Sequence, residues 1–330
     1  MVLSTFLALG MMSQASLAQE VTIEGHGGFK IAGVLEMPAD HVGPVGCVLL
    51  MPGSGPTDRD GNQPPAVTTD ILKDLSAEIR KAGFATMRFD KRPVARYRPQ
   101  WPKTMEEIDK FFSFENHIAD AVAVYRWMEK RPELNAKKLA VLGHSEGGMI
   151  TLEMTQTVTP KTLILMGTPG RGMDVVLREQ VVASLERSKA PEAIKAKYID
   201  NMDLCIAALK AGKPLPETVE PGLQGLFNPS TKTLFKGYFN YDAPALARKY
   251  GGSALVLNGE MDAQIIATKD TPALTKAFES RKTGTSKTVI IPKTSHNFKA
   301  VEAPTDFGFN GPVVPAAVTA VVDWVKAELR

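Results

Sequence analysis

Short apolar runs bounded by turn residues recur along the chain and alternate with segments whose apolar residues have helical spacing. The runs are continuous, as in strands that a parallel sheet buries on both faces. These predicted strands lie at 45–53, 84–90, 138–143, 161–167, 253–259 and 287–292. The intervening helices are predicted at 68–83, 114–132, 147–156, 271–281 and 315–329. With a loosely alternating β-hairpin at 20–37 in front, the pattern predicts a doubly wound, mostly parallel α/β sheet.

Residues 168–250 interrupt this alternation with polar helical stretches and then a proline- and glycine-rich piece. The interruption is too long for an ordinary loop and predicts a helical cap inserted into a core formed by 19–167 and 251–330. Because it leaves the sheet at the carboxyl edge, the cap is expected to cover that edge and to limit substrates to short or medium length. Phe235 and Phe239 are its candidate substrate contacts, with burial in the core of the cap as the alternative.

The first residues, 1–18, contain a short apolar core followed by Ser16-Leu17-Ala18, which fits a signal peptidase site. No Lys or Arg precedes the apolar core, so an uncleaved leader is the alternative. We expect export to the periplasm or the medium, with a mature chain that begins at Gln19. The segment is too short and too interrupted for stable insertion in a membrane.

Composition argues against several other classes of function. The net charge is +3 and the basic residues are scattered, so a nucleic-acid partner is not expected. The chain has no metal-ligand spacing, nucleotide-binding loop or cofactor fingerprint, and no cofactor or metal is expected. Cys47 falls in a predicted strand and Cys205 in a helical stretch, and a disulfide between them stays an open alternative that nothing favours.

The candidate chemistry lies in the loops that follow the strands, because ligands of a parallel α/β sheet bind beyond the carboxyl ends of its strands. Three of these loops supply Ser145, Asp262 and His296, in that chain order. This is the order of the Ser–Asp–His triad in α/β-hydrolases. Ser145 would be the nucleophile and His296 its base, while Asp262 would hold the other ring N–H of the histidine.

The candidate nucleophile lies in the sequence "GHSEGG" at 143–148, which contains the G-x-S-x-G pattern of a nucleophile elbow. Gly143 and Gly147 are expected there because a Cβ at either position would collide with the neighbouring strand and helix. The oxyanion of the tetrahedral intermediate needs hydrogen-bond donors. We expect these to be the backbone N–H groups of Glu146 and Ser54, with Gly55 as a further candidate.

His296 is preferred as the base because it follows the last predicted strand. The other histidines have different expected places. His26 and His41 lie in the N-terminal hairpin region and at its exit, and His117 lies in a predicted helix as a packing or surface residue. His144 flanks the serine and is expected to point away from its hydroxyl.

Two carboxylates compete with Asp262 for the role of the triad acid. Glu260 lies close behind the end of the strand, and Asp270 marks the start of a predicted helix. For Asp270 a helix N-cap is the commoner role. Asp262 is therefore preferred over both.

Several motifs resemble those of a known family. Residues 20–330 resemble the α/β-hydrolase superfamily, and within it "GSGPTDRDGN" at 53–62, "RFDKR" at 88–92 and "GHSEGG" resemble the branch of bacterial dienelactone hydrolases and prolyl-oligopeptidase-like esterases. "GHSEGG" and "NGEMD", at 258–262, are similar to the nucleophile and acid motifs of that branch. The resemblance implies the α/β-hydrolase fold and a serine esterase activity.

The chain departs from that branch at two positions. Pro52 stands where a histidine usually precedes the glycine of the oxyanion loop, and Pro93 stands where a glycine usually follows the "DKR" sequence. Neither change removes a catalytic group. Pro52 replaces a histidine that helps to order the oxyanion loop. Pro93 makes the loop after the "DKR" sequence stiffer.

Charged residues near the predicted site are expected to have structural roles. Asp58, Arg59 and Asp60 should form ion pairs and turn contacts rather than bind substrate. The basic patch of the second loop should be solvated, with an anionic leaving group such as a coenzyme A phosphate as the alternative. It comprises Arg92, Arg96 and Arg98.

These observations lead to a serine hydrolase that cleaves a small-molecule carboxylic ester through an acyl-enzyme. An acyl-CoA thioesterase or a serine peptidase on the same triad is the alternative. A ligand-binding protein without catalytic turnover is a remote alternative, and the presence of all three triad residues argues against it. Dehalogenase and epoxide-hydrolase chemistry would need an aspartate at position 145.

Overall fold

A computed structural model describes residues 17–330 as an eight-stranded sheet with helices on both faces. The strands are β1 (Ala18–Glu24), β2 (Lys30–Glu36), β3 (Val45–Met51), β4 (Ala85–Phe89), β5 (Leu134–His144), β6 (Thr162–Met166), β7 (Ser253–Gly259) and β8 (Ser286–Ile291). Their order across the sheet is β1-β2-β4-β3-β5-β6-β7-β8. β1 pairs antiparallel with β2, β2 pairs antiparallel with β4, and every other neighbouring pair is parallel. The predicted fold class is confirmed.

Helices connect the strands and cover the sheet. They are α1 (Ile71–Lys81), α2 (Met105–Phe111), α3 (Phe114–Glu129), α4 (Glu146–Met154), α5 (Met173–Arg187), α6 (Glu192–Lys210), α7 (Lys232–Asn240), α8 (Ala243–Lys249), α9 (Ala267–Glu279) and α10 (Pro315–Leu329). α9 begins four residues before the predicted start at 271. The short helix α2 was not predicted, although Thr104 starts it with a capping box in which Glu107 takes part.

The sheet has an apolar core on each face. Successive residues of β3 point to opposite faces, so that Leu49 packs with α3 and α4 while Leu50 packs with α1 and α10. All six residues from Gly46 to Met51 are buried. This burial on both faces explains why the strand sequences are continuous apolar runs rather than alternating ones.

The segment between β6 and β7 contains four helices, α5 to α8. α5, α6 and α7 contact one another, and α7 also contacts α2 and α3 at the edge where β5 ends. α8 packs instead against α4 and α9, in the layer that covers the sheet. The segment 168–250 therefore contributes helices both to the layer on the sheet and to a region beyond its carboxyl edge.

The predicted leader, 1–18, lies almost wholly outside the described residues. Ala18 and Gln19, on either side of the predicted cleavage point, are the first residues of β1. Among residues 17–330, no helix has the length and apolar character needed to cross a membrane. Cys47 and Cys205 are both buried, and neither forms a disulfide.

Candidate active site

Ser145 lies at the sharp turn between β5 and α4. Its backbone has φ 55° and ψ −121°, a conformation that is rare for a residue with a side chain and is a form of local strain. The Ser145 N–H donates to the carbonyl oxygen of Met166 at 2.8 Å, which fastens the turn to the end of β6. The serine therefore stands at the carboxyl edge of the sheet, beside the entry to the helix.

Three glycines allow the turn to pack this closely. A Cβ on Gly143 would overlap the backbone of Gly147, and a Cβ on Gly147 would overlap the carbonyl group of Met51 in β3. A Cβ on Gly148 would overlap the side chain of Thr168. The first two glycines have the steric role expected from the sequence, and Gly148 adds a third contact of the same kind that sequence reasoning missed.

His296 and Asp262 are joined by a short hydrogen bond. The His296 ring lies with Nδ1 2.7 Å from Oδ2 of Asp262, and both side chains are buried. Oδ1 of Asp262 accepts the backbone N–H groups of Gln264 and Ile265, each at 2.8 Å. The carboxylate is thus held on both oxygens, and a proton on Nδ1 leaves Nε2 of the histidine as an acceptor. Ser145 and His296 line the same groove.

The two rival carboxylates are engaged elsewhere. Oε2 of Glu260 accepts the backbone N–H of Lys293 at 2.9 Å. Asp270 is not a helix N-cap, because it lies inside α9, whose cap is Ile266. Its buried carboxylate instead pairs with Arg171 at 2.9 Å and accepts the backbone N–H of Gly170. Asp270 therefore fixes the loop that leaves β6.

His144 supports His296 from behind. Nε2–H of His144 donates to the carbonyl oxygen of His296 at 2.9 Å, and the two rings lie 4.8 Å apart. Burial, followed by the charge of the neighbouring His296, lowers the pKa of His144 to about 3. His144 is therefore neutral at physiological pH and acts as a hydrogen-bond donor to the His296 loop.

The expected oxyanion donors lie beside Ser145. Ser54, Gly55 and Glu146 all line one cavity together with the serine. Glu146 is the first residue of α4, where a backbone N–H has no partner within the helix. Within the described chain, the backbone N–H of Ser54 donates to no other group. Both N–H groups are available to a ligand.

Neighbouring side chains hold the peptide planes that carry these donors. The N–H and C=O of a trans peptide point in opposite directions, so a bond to the C=O also orients the N–H of the next residue. The Ser54 carbonyl oxygen accepts from Thr57 at 2.6 Å and from Gln63 at 2.9 Å, which orients the N–H of Gly55. The Gly53 carbonyl oxygen accepts from the Lys91 ammonium, which orients the N–H of Ser54.

Lys91 is a site residue that sequence reasoning missed. Its ammonium, bonded to Gly53, also lies 3.1 Å from Oε1 of Glu146, and both side chains are buried. Burial raises the pKa of Glu146, but the charge of Lys91 and the contact with His117 outweigh burial and lower the pKa to about 2. Burial lowers the pKa of Lys91, and Glu146 opposes that change. A buried ion pair therefore lies directly behind the two candidate oxyanion donors.

His117 and Tyr238 complete the surroundings of Glu146. Nδ1 of His117 lies 3.3 Å from Oε1 of Glu146. The Tyr238 hydroxyl also contacts this carboxylate, and burial together with the Glu146 charge raises the pKa of Tyr238 well above its ordinary value. The expectation that His117 is a packing or surface residue was incomplete, because the side chain is buried and lines the cavity beside Ser145.

Two spaces open on Ser145. The larger is a cavity of about 410 Å³ whose apolar wall includes Met149, Leu177, Leu234 and Phe235. The smaller is a groove of about 210 Å³ whose wall includes His296, Asn297 and Phe309. Phe235 therefore borders the site, whereas Phe239 lies outside the cavity wall and packs against the Phe235 ring, with centroids 6.0 Å apart.

The charged loops form ion pairs rather than ligand sites. Arg59 pairs with Asp90 at 2.9 Å and with Glu20 at 2.8 Å, and Asp60 pairs with Arg88. The expectation of ion pairs in the run "TDRDGN" is confirmed.

The expected solvated basic patch is wrong for Arg92. This side chain is buried, pairs with Asp120 at 2.6 Å and contacts the rings of both Phe29 and Phe111. Arg96 pairs with Asp90 at 2.7 Å. Two of the three arginines therefore stabilise the loop after β4, and they do not form a free cationic surface.

Comparisons with known proteins agree on the fold. No protein-family model matches the chain. Among solved structures, Est1E from Butyrivibrio proteoclasticus is similar with a TM-score of 0.57 and 14% identity, over 94% of this chain and 98% of that one. A dienelactone hydrolase from Anabaena variabilis is similar with a TM-score of 0.51 and 18% identity, over 95% of this chain and 100% of that one. The chain has the α/β-hydrolase fold that the resemblance of its motifs implied.

One curated relative is similar in sequence. Esterase EstD of Thermotoga maritima is 26% identical over 164 residues, which are 49% of this chain. The match covers 35% of that esterase, so the chain spans about a third of its length.

Proposed function

We propose that the protein is a serine hydrolase that cleaves small carboxylic esters through an acyl-enzyme. One observation carries the proposal: Ser145, in a strained turn, shares a groove with His296, whose Nδ1 is bonded to the buried Asp262 at 2.7 Å. A serine hydroxyl needs an adjacent base to act as a nucleophile, and a histidine needs a partner that fixes its tautomer. Esterase names among the similar proteins support the same reaction.

The reaction assigns a step to each group. Nε2 of His296 accepts the Ser145 proton as the hydroxyl oxygen attacks the ester carbonyl, and Asp262 stabilises the imidazolium that forms. The N–H groups of Ser54 and Glu146 receive the oxyanion of the tetrahedral intermediate. His296 then returns the proton to the leaving alcohol, and the same steps with water as nucleophile release the acid.

The proton transfer also orients the substrate. Because His296 must protonate the leaving alcohol, that alcohol has to occupy the groove that His296 lines. The acyl group is left with the 410 Å³ cavity, which Ser54 and Glu146 also line and whose far side is formed by α5 and α7. The helices between β6 and β7 thus act as a cap that limits acyl size and excludes water. A cavity of this volume suits short and medium acyl chains.

Hydrolysis assays on purified protein test the proposal. Wild-type protein should hydrolyse p-nitrophenyl butanoate, and Ser145→Ala should abolish this activity while Ser188→Ala, an exposed serine at the end of α5, retains it. Acyl-CoA thioesters and aminoacyl p-nitroanilides in the same assay separate thioesterase and peptidase activity from esterase activity. Greater kcat/KM on either of these than on the ester would contradict an esterase.

We also propose export of the protein, on the strength of its first residues. The apolar core and the Ser16-Leu17-Ala18 sequence support a cleaved leader. N-terminal sequencing of protein recovered from the periplasm or medium should begin at Gln19. Recovery of cytoplasmic protein that retains Met1 would contradict export.

A further inference from the structure

His117 is a buried polar side chain whose single polar neighbour in contact, Glu146, faces Nδ1 and leaves Nε2 without a partner in the described chain. It lies in the first turn of α3, is 4% exposed and lines the 410 Å³ cavity. Neither ring nitrogen makes a hydrogen bond of acceptable geometry within residues 17–330. Buried polar groups are almost always paired, and an exception in a ligand cavity points to a partner that the ligand supplies.

Five other polar side chains of the cavity wall are already engaged. The hydroxyl groups and amides concerned donate to protein oxygens at 2.6–3.1 Å: Gln63 to Ser54, Gln180 to Gln264, Ser230 to Asn228, and Thr231 to Leu226 and Asn228. The carboxylate of Glu146 accepts a hydrogen bond from the Lys91 ammonium. The hydroxyl groups of Ser54 and Ser145 and the amide of Gln264 make no hydrogen bond within residues 17–330, but none of these three residues is buried. His117 differs from all of these neighbours, because its Nε2 is buried and makes no hydrogen bond within the described chain.

Glu146 determines which nitrogen of His117 can accept. Nδ1 lies 3.3 Å from Oε1 of Glu146, and a lone pair on Nδ1 would face the negative carboxylate. A proton on Nδ1 is favoured there, because the partial positive charge of the N–H then lies beside the carboxylate. The neutral ring consequently carries its lone pair on Nε2.

We propose that Nε2 of His117 accepts a hydrogen bond from a hydroxyl group on the acyl part of the substrate, so that hydroxylated acyl esters are preferred. The inference rests on the proposed function, because it places the acyl group in this cavity. A site that hydrogen-bonds a substrate hydroxyl discriminates strongly against the analogue that lacks it, since binding the analogue leaves a buried group unpaired. His117 would then be a specificity residue. It contacts Glu146, the residue that follows the nucleophile in the chain.

Matched ester pairs test the inference. We compare kcat/KM for p-nitrophenyl 3-hydroxybutanoate with butanoate, 6-hydroxyhexanoate with hexanoate, and 4-hydroxyphenylacetate with phenylacetate. At least one hydroxylated ester should be preferred by about tenfold or more in the wild-type protein. His117→Phe should bring that ratio close to one, His117→Gln should keep part of it, and His41→Phe, outside the cavity, should leave it unchanged. The ratio is independent of the amount of active enzyme.

Each failure has its own meaning. Equal rates within every pair in the wild-type protein overturn the inference, as does a ratio that His117→Phe leaves unchanged. Preference for the p-nitrophenyl hemiester of adipate over hexanoate, lost in His117→Phe, would show that His117 donates to a carboxylate and would also overturn it. If no ester in the set is hydrolysed, the proposed function fails instead. Should His117→Phe not fold, the wild-type ratios and His117→Gln still decide the question.

Discussion

The ammonium of Lys91 lies 3.1 Å from the carboxylate of Glu146, in a place where both side chains are buried. The same ammonium donates to the carbonyl oxygen of Gly53, whose peptide carries the N–H of Ser54. Glu146 itself follows the nucleophile and carries the second candidate oxyanion donor. One buried cation therefore connects the two chain segments that must converge on the oxyanion. The geometry of the proposed reaction thus depends on Lys91, which lies outside the walls of both spaces beside Ser145.

We expect the Lys91–Glu146 pair to show strong coupling in stability. Lys91→Met leaves a buried carboxylate without its main partner and should lower the free energy of unfolding by about 3–5 kcal/mol. The double variant Lys91→Met/Glu146→Gln removes both charges and should lose less than Lys91→Met alone. Urea unfolding of Lys91→Met, Glu146→Gln, the double variant and the wild-type protein measures the coupling. Additive losses would show that the two side chains act independently.

The same carboxylate should contribute to the acid limit of stability. The pKa of Glu146 is about 2 in the folded protein against an ordinary value of 4.5, so the unfolded chain binds more protons below pH 4.5. Its contribution is therefore complete above pH 4.5 and is lost as the pH falls towards 2. Urea unfolding across this range should show a shallower pH dependence for Glu146→Gln than for the wild-type protein. Parallel curves would contradict the assigned pKa.

Asp262 and Glu260 provide a matched test of the triad acid. Asp262→Asn keeps acceptors for the N–H groups of Gln264 and Ile265 but presents an amide to His296, which favours the wrong tautomer. By analogy with this change in a related triad, kcat should fall by about 10⁴-fold. Glu260→Gln alters only a contact with Lys293 and should change kcat little. The reverse order of effects in steady-state assays would identify Glu260 as the acid.

Phe235 and Phe239 should differ in their effect on acyl-chain preference. Phe235 lines the cavity beside Ser145, so Phe235→Ala enlarges the space and should shift the optimum of kcat/KM towards longer acyl chains. Phe239 packs behind it, and Phe239→Ala should alter stability more than preference. A series of p-nitrophenyl esters of increasing acyl length measures both. An unchanged profile in Phe235→Ala would place the acyl group elsewhere.

Sequence reasoning located the strands and the strand ends that form the candidate site, because both depend on local signals. Continuous apolar runs marked the buried strands, and the rule that ligands bind at carboxyl ends selected Ser145, Asp262 and His296. The same rule applied to β4 would have selected Lys91, which follows that strand by two residues. It was missed because a lysine in a loop is usually solvated, and only the fold shows that this one is buried.

Other features of the site could not be predicted, because they depend on packing between distant elements. His117 lines the cavity together with Tyr238 of α7, whose ring packs on Phe114 at the start of α3, and no periodicity in α3 distinguishes His117 from a core residue. Asp270 was assigned to a helix start by its sequence context, whereas its partner Arg171 is 99 residues away in the chain. Contacts between residues so far apart in the chain form only in the assembled fold, and local sequence patterns do not predict them.

Covalent labelling of Ser145 tests the central claim most directly. The protein is treated with a fluorophosphonate, and the modified residue is identified by mass spectrometry of proteolytic peptides. The strained turn, the base beside it and the donors of Ser54 and Glu146 predict a single adduct on Ser145, absent from Ser145→Ala and formed far more slowly in Asp262→Asn. Stoichiometric labelling of Ser145→Ala, or an adduct on another serine in the wild-type protein, would contradict the account.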